Sequence, residues 1–268
     1  SAWWYADHSF GNQDLEKWTS CSEIRHVLET KDHVTICVES KERTWELMIY
    51  PVVGGFRMIA GKKGFFDGKP EAFSMEESEH AYIIRSKEHE MILQKETLEI
   101  SIDRKAITNL KNISFIFEKE SVSASRIQFS IHENSAIYGF GERFDSVNQY
   151  GKTVALWQRD ACEGCLASIG NQAYKNIPLV HTSDGFSFFA NTSYRMRMDV
   201  GDAVQDYLSV EALGDVFDFY IWSGTPREAM TAYGTLTGLP IFPPEWVFEP
   251  WLAVAAEDGE TVRYRILR

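Results

Sequence analysis

Between Ser20 and Ser223 the chain is a succession of short runs in which β-branched or aromatic residues alternate with polar ones. Charged residues, or Gly, Pro, Asn and Asp, close each run, and convincing amphipathic helices are absent from the first half. His33–Glu39 and Arg43–Tyr50, separated by the polar Ser40-Lys41-Glu42, read as a hairpin. Gly54-Gly55, Gly61, Gly64 and the Asp67-Gly68 turn signal punctuate the next stretch. Further strands are expected at His80–Ser86, Met91–Gln94, Leu98–Asp103, Ile113–Phe117 and Ile127–Ile131. The same rhythm continues through Lys175–Thr182, Phe186–Ala190, Arg195–Val200 and Val216–Trp222. Strands this short, at spacings of roughly ten residues, predict an antiparallel β-sandwich and not a parallel sheet with crossover helices. Glu76-Glu77 and Lys87-Glu88 read as solvated turns between strands.

The rhythm breaks at Thr225. Thr225-Pro226-Arg227-Glu228 offers an N-cap, Pro at the first helical position and Glu three residues after the cap. Ala229, Met230, Ala232, Tyr233 and Leu236 then recur at helical spacing, and Gly238 with Pro240 ends the pattern. A stiff connector, Pro243-Pro244-Glu245-Trp246, and the apolar Val247-Phe248 and Trp251-Leu252 follow. The organisation expected is therefore a sandwich over 1–224, a helix and connector over 225–252, and an atypical polar tail over 253–268.

A net charge of −12 argues against nucleic acid, whose binding releases counterions from a concentrated basic surface that this chain lacks. No apolar run approaches the length of a membrane span, and the N-terminal SAWWYADHSF lacks the layout of a signal peptide. Together with only four cysteines, Cys21, Cys37, Cys162 and Cys165, this points to free thiols and a cytoplasmic location. Cys162-Glu163-Gly164-Cys165 has C-x-x-C spacing but no second close pair to complete a zinc site and no thioredoxin-like setting, so neither metal nor cofactor is expected. Asn112-Ile113-Ser114 and Asn191-Thr192-Ser193 match the glycosylation pattern by chance.

The stretch most suggestive of a site runs from Ser135 to Asp160. It sets strand-like pieces on Gly139, Gly141 and Gly151 and ends in Trp157-Gln158-Arg159-Asp160. An aromatic face with a guanidinium and a carboxylate is one way to hold a polyol, the ring against C–H groups and the charges on hydroxyls. The alternative reading makes Trp157 a core ring and Arg159–Asp160 a local ion pair of small energetic value. The residues alone leave both open. His181-Thr182-Ser183-Asp184 reads as a strand end and turn and not as hydrolase machinery, and no G-x-S-x-G occurs.

Six segments in order carry a family resemblance: Tyr138–Phe144 (YGFGERF), Trp157–Asp160 (WQRD), Ala173–Pro178 (AYKNIP), Ser223–Pro226, Leu236–Pro240 and Pro243–Trp246. Together they resemble the N-terminal part of glycoside hydrolase family 31, and most of all its bacterial α-xylosidase branch, with α-glucosidases next. The resemblance implies a galactose mutarotase-like β-sandwich followed by a catalytic (β/α)₈ barrel. It implies retaining chemistry on α-linked glycosides, with nucleophile and acid/base both on the barrel, and a loop bearing Trp157, Arg159 and Asp160 that reaches the substrate. Asp160 is similar to the family carboxylate that helps bind the sugar beside the cleaved bond, and Arg159 would position that loop.

The departure is equally informative. A (β/α)₈ barrel needs about 200 residues or more, and only 16 follow Leu252. No W-x-D-M-N-E-like nucleophile run occurs, and Glu257, Asp258 and Glu260 lie in a polar tail with no frame to hold two carboxyl groups across a scissile bond. No catalytic residue is expected in this chain. The expectation is a sandwich fragment that is inactive alone, binds an α-linked oligosaccharide or glycoside, and self-associates through its barrel-facing surface around Trp246, Phe248 and Trp251. A stand-alone carbohydrate-binding or scaffolding module is the alternative.

Overall fold

The computed structural model describes residues 18–40, 43–119, 121–158 and 173–250. Its strands, in chain order, begin with β1 (Thr19–Ser20), β2 (Glu23–Glu29), β3 (Val34–Glu39), β4 (Thr44–Val52), β5 (Gly55–Gly61) and β6 (Ser74–Glu77). They continue with β7 (Ala81–Arg85), β8 (Glu90–Gln94), β9 (Glu99–Ile102), β10 (Lys105–Asn109), β11 (Ile113–Glu118) and β12 (Ser121–Ser130). The set closes with β13 (Ile137–Gly141), β14 (Lys152–Leu156), β15 (Asn176–Thr182), β16 (Phe186–Ala190), β17 (Met196–Val200), β18 (Tyr207–Leu213) and β19 (Val216–Ser223). One α-helix follows, α1 (Pro226–Thr237).

These strands form three antiparallel sheets, ordered β1-β11-β12-β18-β17-β14, β10-β9-β8-β7-β6 and β13-β15-β16-β19-β5-β4-β3-β2. The first and third face each other as the expected mainly-β sandwich. Phe129 of β12 stacks on Phe188 of β16 at 4.5 Å between ring centroids, and Phe115 of β11 meets Phe217 of β19 edge-on at 5.4 Å. The five-stranded sheet adds Ile84, Met91, Leu93, Ile100 and Ile102 to the same core, and Thr108 of β10 donates to the Gln128 carbonyl of β12 at 2.6 Å.

Both faces of the eight-stranded sheet are covered at its centre, which explains why β16 and β19 read as nearly continuous apolar text. On β19, Phe217, Phe219 and Ile221 enter the sandwich core, whereas Tyr220 and Trp222 join a second cluster on the outer face. α1 closes that outer cluster with Ala229 and Ala232, and Tyr233 and Leu236 pack at its margin. The helix begins on the capping box that the sequence predicts. The Thr225 backbone N–H donates to Glu228 Oε2 at 2.7 Å, and the Glu228 N–H returns to Thr225 Oγ1 at 3.4 Å. The helix thus belongs to a compact unit, Ser1–Thr237; in the second, Gly238–Arg268, the Pro-Pro-Glu-Trp connector leads into a 3-10 turn at Glu245–Phe248.

Strands β5, β10 and β18 lie outside the expected runs, and Glu76-Glu77 differs from its expected turn. The Gly-punctuated segment after Gly54 is strand β5, paired with both β4 and β19. Its glycine is a packing device: a Cβ on Gly55 would stand 2.1 Å from the Ile221 carbonyl oxygen. Glu76-Glu77 is no turn but the end of edge strand β6, where Arg85 donates to Glu76 at 2.6 Å and Lys95 to Glu77 at 2.7 Å. Charged side chains on an outermost strand discourage pairing with other chains.

Candidate functional site: a cleft beside Trp157

β14 ends at Leu156, and the chain turns outward so that Trp157 is 50% exposed. At that exposure Trp157 is not a core ring. The Arg195 guanidinium lies 5.8 Å from its ring centroid, a cation–π distance that helps fix the indole plane. Trp157 borders a cleft of about 570 Å³ whose apolar walls include Phe66, Ile177, Pro178 and Tyr233, with Gln158 and Asn176 among its polar groups. Arg159 and Asp160, the two other predicted substrate-binding residues, lie outside the described residues, as do Cys162 and Cys165.

Three of the segments that carry the resemblance build this cleft. In the first, Gly139, Phe140 and Gly141 all take positive φ (113°, 68° and 84°), and the β13–β15 register shifts between Gly139 and Gly141. The bulge turns Phe140 fully into the core. Gly139 and Gly141 are obligatory there, since Cβ atoms would stand 2.2 Å from the Leu179 carbonyl oxygen and 2.1 Å from that of Lys175. Arg143, just beyond, donates to the Phe140 carbonyl at 3.1 Å and to Asn176 Oδ1 at 2.6 Å, and Asn176 Nδ2 donates to the Ala173 carbonyl at 3.2 Å. The first segment is thereby clasped to the AYKNIP segment, whose Asn176, Ile177 and Pro178 line the cleft. Burial pushes the Arg143 pKa below its ordinary value, with Asp145 opposing.

The opposite wall is the loop from Lys62 to Pro70, held by a buried network that no local sequence signal reveals. Arg57 of β5 and Asp218 of β19 are both 1% exposed. Arg57 Nε donates to Asp218 Oδ1 at 2.8 Å and Nη2 to Oδ2 at 2.7 Å, a bidentate pair. Asp218 Oδ2 also accepts from the Gly64 N–H at 2.7 Å and from Asn191 Nδ2 at 2.8 Å. The Arg57 fork continues to Asp67 and to the Phe66 carbonyl, and its guanidinium carbon lies 4.9 Å from the Tyr220 ring centroid. Asn191 completes the clasp, accepting from the Phe66 N–H at 3.0 Å and donating to the Phe66 carbonyl at 2.7 Å. At 1% exposure and with its amide committed, Asn191 is a structural residue of the cleft floor, although its sequence context matches the glycosylation pattern. His181-Thr182 ends β15 and Ser183-Asp184 is a turn, where Asp184 accepts from Ser135 Oγ at 2.6 Å.

The outer, helix-covered face of one sheet of the antiparallel sandwich thus carries an aromatic-rimmed cleft. Residues 28–199 match the model of the glycosyl hydrolase 31 N-terminal galactose mutarotase-like domain, and the chain belongs to that family. The chain is 34% identical over 135 residues to the α-xylosidase XylQ of Lactiplantibacillus pentosus, a match covering 50% of this chain and 17% of that protein. It is 24% identical over 181 residues to α-glucosidase 2 of Bacillus thermoamyloliquefaciens, covering 65% of this chain and 22% of that one. The chain thus spans about a fifth of the length of these curated relatives. Among solved structures, the cycloalternan-forming enzyme of Listeria monocytogenes, in complex with a pentasaccharide substrate, superimposes with a TM-score of 0.76 at 18% identity, over 86% of this chain and 23% of that one. The Flavobacterium johnsoniae dextranase complexed with glucose gives 0.69 at 19% identity, over 85% of this chain and 29% of that one. Among the described residues, no helix is long and apolar enough to cross a membrane.

Proposed function

We propose that this chain is the N-terminal sandwich of a retaining α-glycosidase of the α-xylosidase type, and that it supplies one rim of the substrate site without performing hydrolysis itself. The observation that carries the reading is Trp157, half exposed at the mouth of the cleft where β14 delivers the chain into the Trp157–Asp160 segment. In this reading the indole face stacks on the C–H face of a sugar, Asp160 accepts from its hydroxyls and Arg159 positions the loop. The nucleophile and acid/base come from a barrel encoded beyond this chain. The expected setting is cytoplasmic, which the buried free thiols of Cys21 and Cys37 support.

The first test is the reading frame downstream of Trp251 in the native gene, with the intact mass of the native protein. A continuation of several hundred residues containing a W-x-D-M-N-E-like segment is the expected result. In that longer protein, Asp160→Asn should raise KM for an α-xyloside more than it lowers kcat. A native product ending at Arg268 would sink the glycosidase reading and leave saccharide binding by the isolated sandwich as the alternative. Sustained turnover of p-nitrophenyl α-xyloside or α-glucoside by the pure 268-residue chain, above a mock preparation, would overturn the assignment of catalysis to a missing barrel.

A further inference from the structure

The loop from Lys62 to Pro70 carries one large side chain that lies outside the packing of the fold. Lys62 pairs with Asp215, the Lys63 ammonium lies 5.4 Å from the Tyr50 ring centroid, Phe66 packs against the outer cluster, and Asp67 bonds to Arg57. Phe65, in their midst, is 88% exposed and meets Phe66 edge-on at 5.1 Å between ring centroids. A lone exposed apolar residue is ordinary on a protein surface and implies nothing by itself. Phe65 differs from such a residue in its support and in its surroundings.

The backbone on both sides of Phe65 is tied to buried groups. The Gly64 N–H donates to Asp218 at 2.7 Å and the Phe66 N–H to Asn191 at 3.0 Å. The Phe66 carbonyl accepts from Asn191 at 2.7 Å, from Arg57 at 3.1 Å and from the Tyr220 hydroxyl at 3.2 Å, and the Gly68 N–H donates to that hydroxyl at 2.8 Å. The ring is therefore carried on an arm already ordered, and a ligand that covers it has little loop entropy to offset. Phe65 also lines the same cleft as the half-exposed Trp157. Between the rings the cleft offers the amides of Gln158 and Asn176 and the hydroxyls of Thr192 and Ser193, and among the described residues no Asp, Glu, Lys or Arg lines it. Exposed rings set among uncharged hydrogen-bonding groups suit a neutral ligand with C–H faces and many hydroxyls. The cleft, at about 570 Å³, falls within the roughly 300–1,000 Å³ that takes a drug-sized ligand, so it has room for more than one pyranose ring.

We infer that Phe65 is a second stacking platform of the Trp157 cleft and gives it a preference for a neutral oligosaccharide over a single sugar. The inference rests on the proposed role of Trp157 as a sugar rim and extends it: Trp157 holds one pyranose ring, and Phe65 holds another unit of the same chain. On this account the Arg57–Asp218–Asn191 network is what keeps the second platform in place, since it fixes the residues on either side of Phe65.

The test is saturation-transfer NMR on the 268-residue chain, titrated with methyl α-xyloside and methyl α-glucoside as single sugars and with maltotriose and isomaltotriose as oligosaccharides. At least one trisaccharide should bind about tenfold tighter than either single sugar. Phe65→Ala should bring that ratio down to about one, Phe65→Tyr should keep it, and Trp157→Ala should weaken every ligand that binds. A ratio that survives Phe65→Ala, or a Phe65→Ala loss equal for single sugars and trisaccharides, overturns the inference and leaves the Trp157 rim standing. Absence of a saturable signal with all four ligands overturns the rim reading and this one with it. Because Phe65 is exposed, the urea midpoint of Phe65→Ala should match that of the parent chain. A clear fall in that midpoint makes the ring part of the frame and overturns its assignment as a platform.

Discussion

The heaviest energetic consequence of the cleft's construction falls on Asp218, 161 residues from its partner Arg57 and in contact with it at 2.8 and 2.7 Å. Burial works against the Arg57 charge, and the bonds to Asp218 and Asp67 more than offset it, so the Arg57 pKa stands above its ordinary value. Asp218→Ala removes that compensation and leaves a guanidinium at 1% exposure without its main anion. Breaking a buried pair from one side costs about 3–5 kcal/mol. The Gly64 N–H and Asn191 Nδ2 lose an acceptor as well, each worth a further ~1 kcal/mol or more if water does not replace it. At roughly 2–4 °C per kcal/mol for a unit of this size, the melting temperature should fall by about 10 °C or more. The double variant Arg57→Met with Asp218→Leu should recover part of this, because it removes both charges, but not all, because Asn191, Gly64 and Phe66 keep polar groups that were satisfied by the pair. Urea denaturation at neutral pH, fitted for midpoint and slope, measures each variant. A cost for Asp218→Ala below ~1 kcal/mol, or a double variant less stable than the single one, would refute the reasoning.

Other outcomes follow from local geometry. Thr225→Ala should cost about 1 kcal/mol by removing the α1 cap, read as a lowered denaturation midpoint. The Glu228 carboxyl has its pKa lowered by the Thr225 backbone and hydroxyl donors; its contribution is therefore present above the ordinary carboxylate range and lost as pH falls, so Glu228→Gln should be less damaging in acid than at neutral pH. Asp145 is held at about 2, against burial, by Lys152, Gln149 and the Ser146 N–H, so its stabilisation is lost as pH drops from its ordinary 3.8 toward 2. Asp145→Asn should flatten the acid limb of the stability curve in that window. Gly139→Ala should destabilise by about 1–3 kcal/mol or more, through both the positive φ and the 2.2 Å approach to the Leu179 carbonyl, with loss of folded protein on expression as the coarse readout.

What the sequence made legible was local. The Thr225–Glu228 box, the β3–β4 hairpin and strand β16 are each specified by a few adjacent residues, and the structure has them where the text places them. β5 was illegible because its glycines, which signal loops in general, serve here to let β5 and β19 approach. Arg57, in the middle of β5, looks like a solvent residue until its partner on β19 is brought beside it by pairing at long range. The same holds for Asn191, whose neighbours spell a surface pattern while its side chain closes the Phe66 clasp. At the site, aromatic and charged residue types suggested a sugar rim, but only the outward turn after Leu156 separates a rim Trp157 from a core one.

The segments that carry the family resemblance divide by what they do. Gly139 and Gly141 shape a bulge, Phe140 fills the core, and Arg143 clasps Asn176; none of these needs to touch a ligand to be indispensable to the cleft. Their joint effect is to fix Asn176, Ile177 and Pro178 on one wall, while Arg57, Asp218 and Asn191 fix Phe66 on the other. Substitution within this frame and substitution at Trp157 should therefore separate in experiment. Arg143→Met should lower both stability and any saccharide affinity at the cleft, since it removes the bonds to Phe140 and Asn176. Trp157→Ala, half exposed and outside the packed core, should leave the denaturation midpoint nearly unchanged and remove the affinity alone. If Trp157→Ala unfolds the chain as readily as Arg143→Met does, the indole is part of the frame and not of the site.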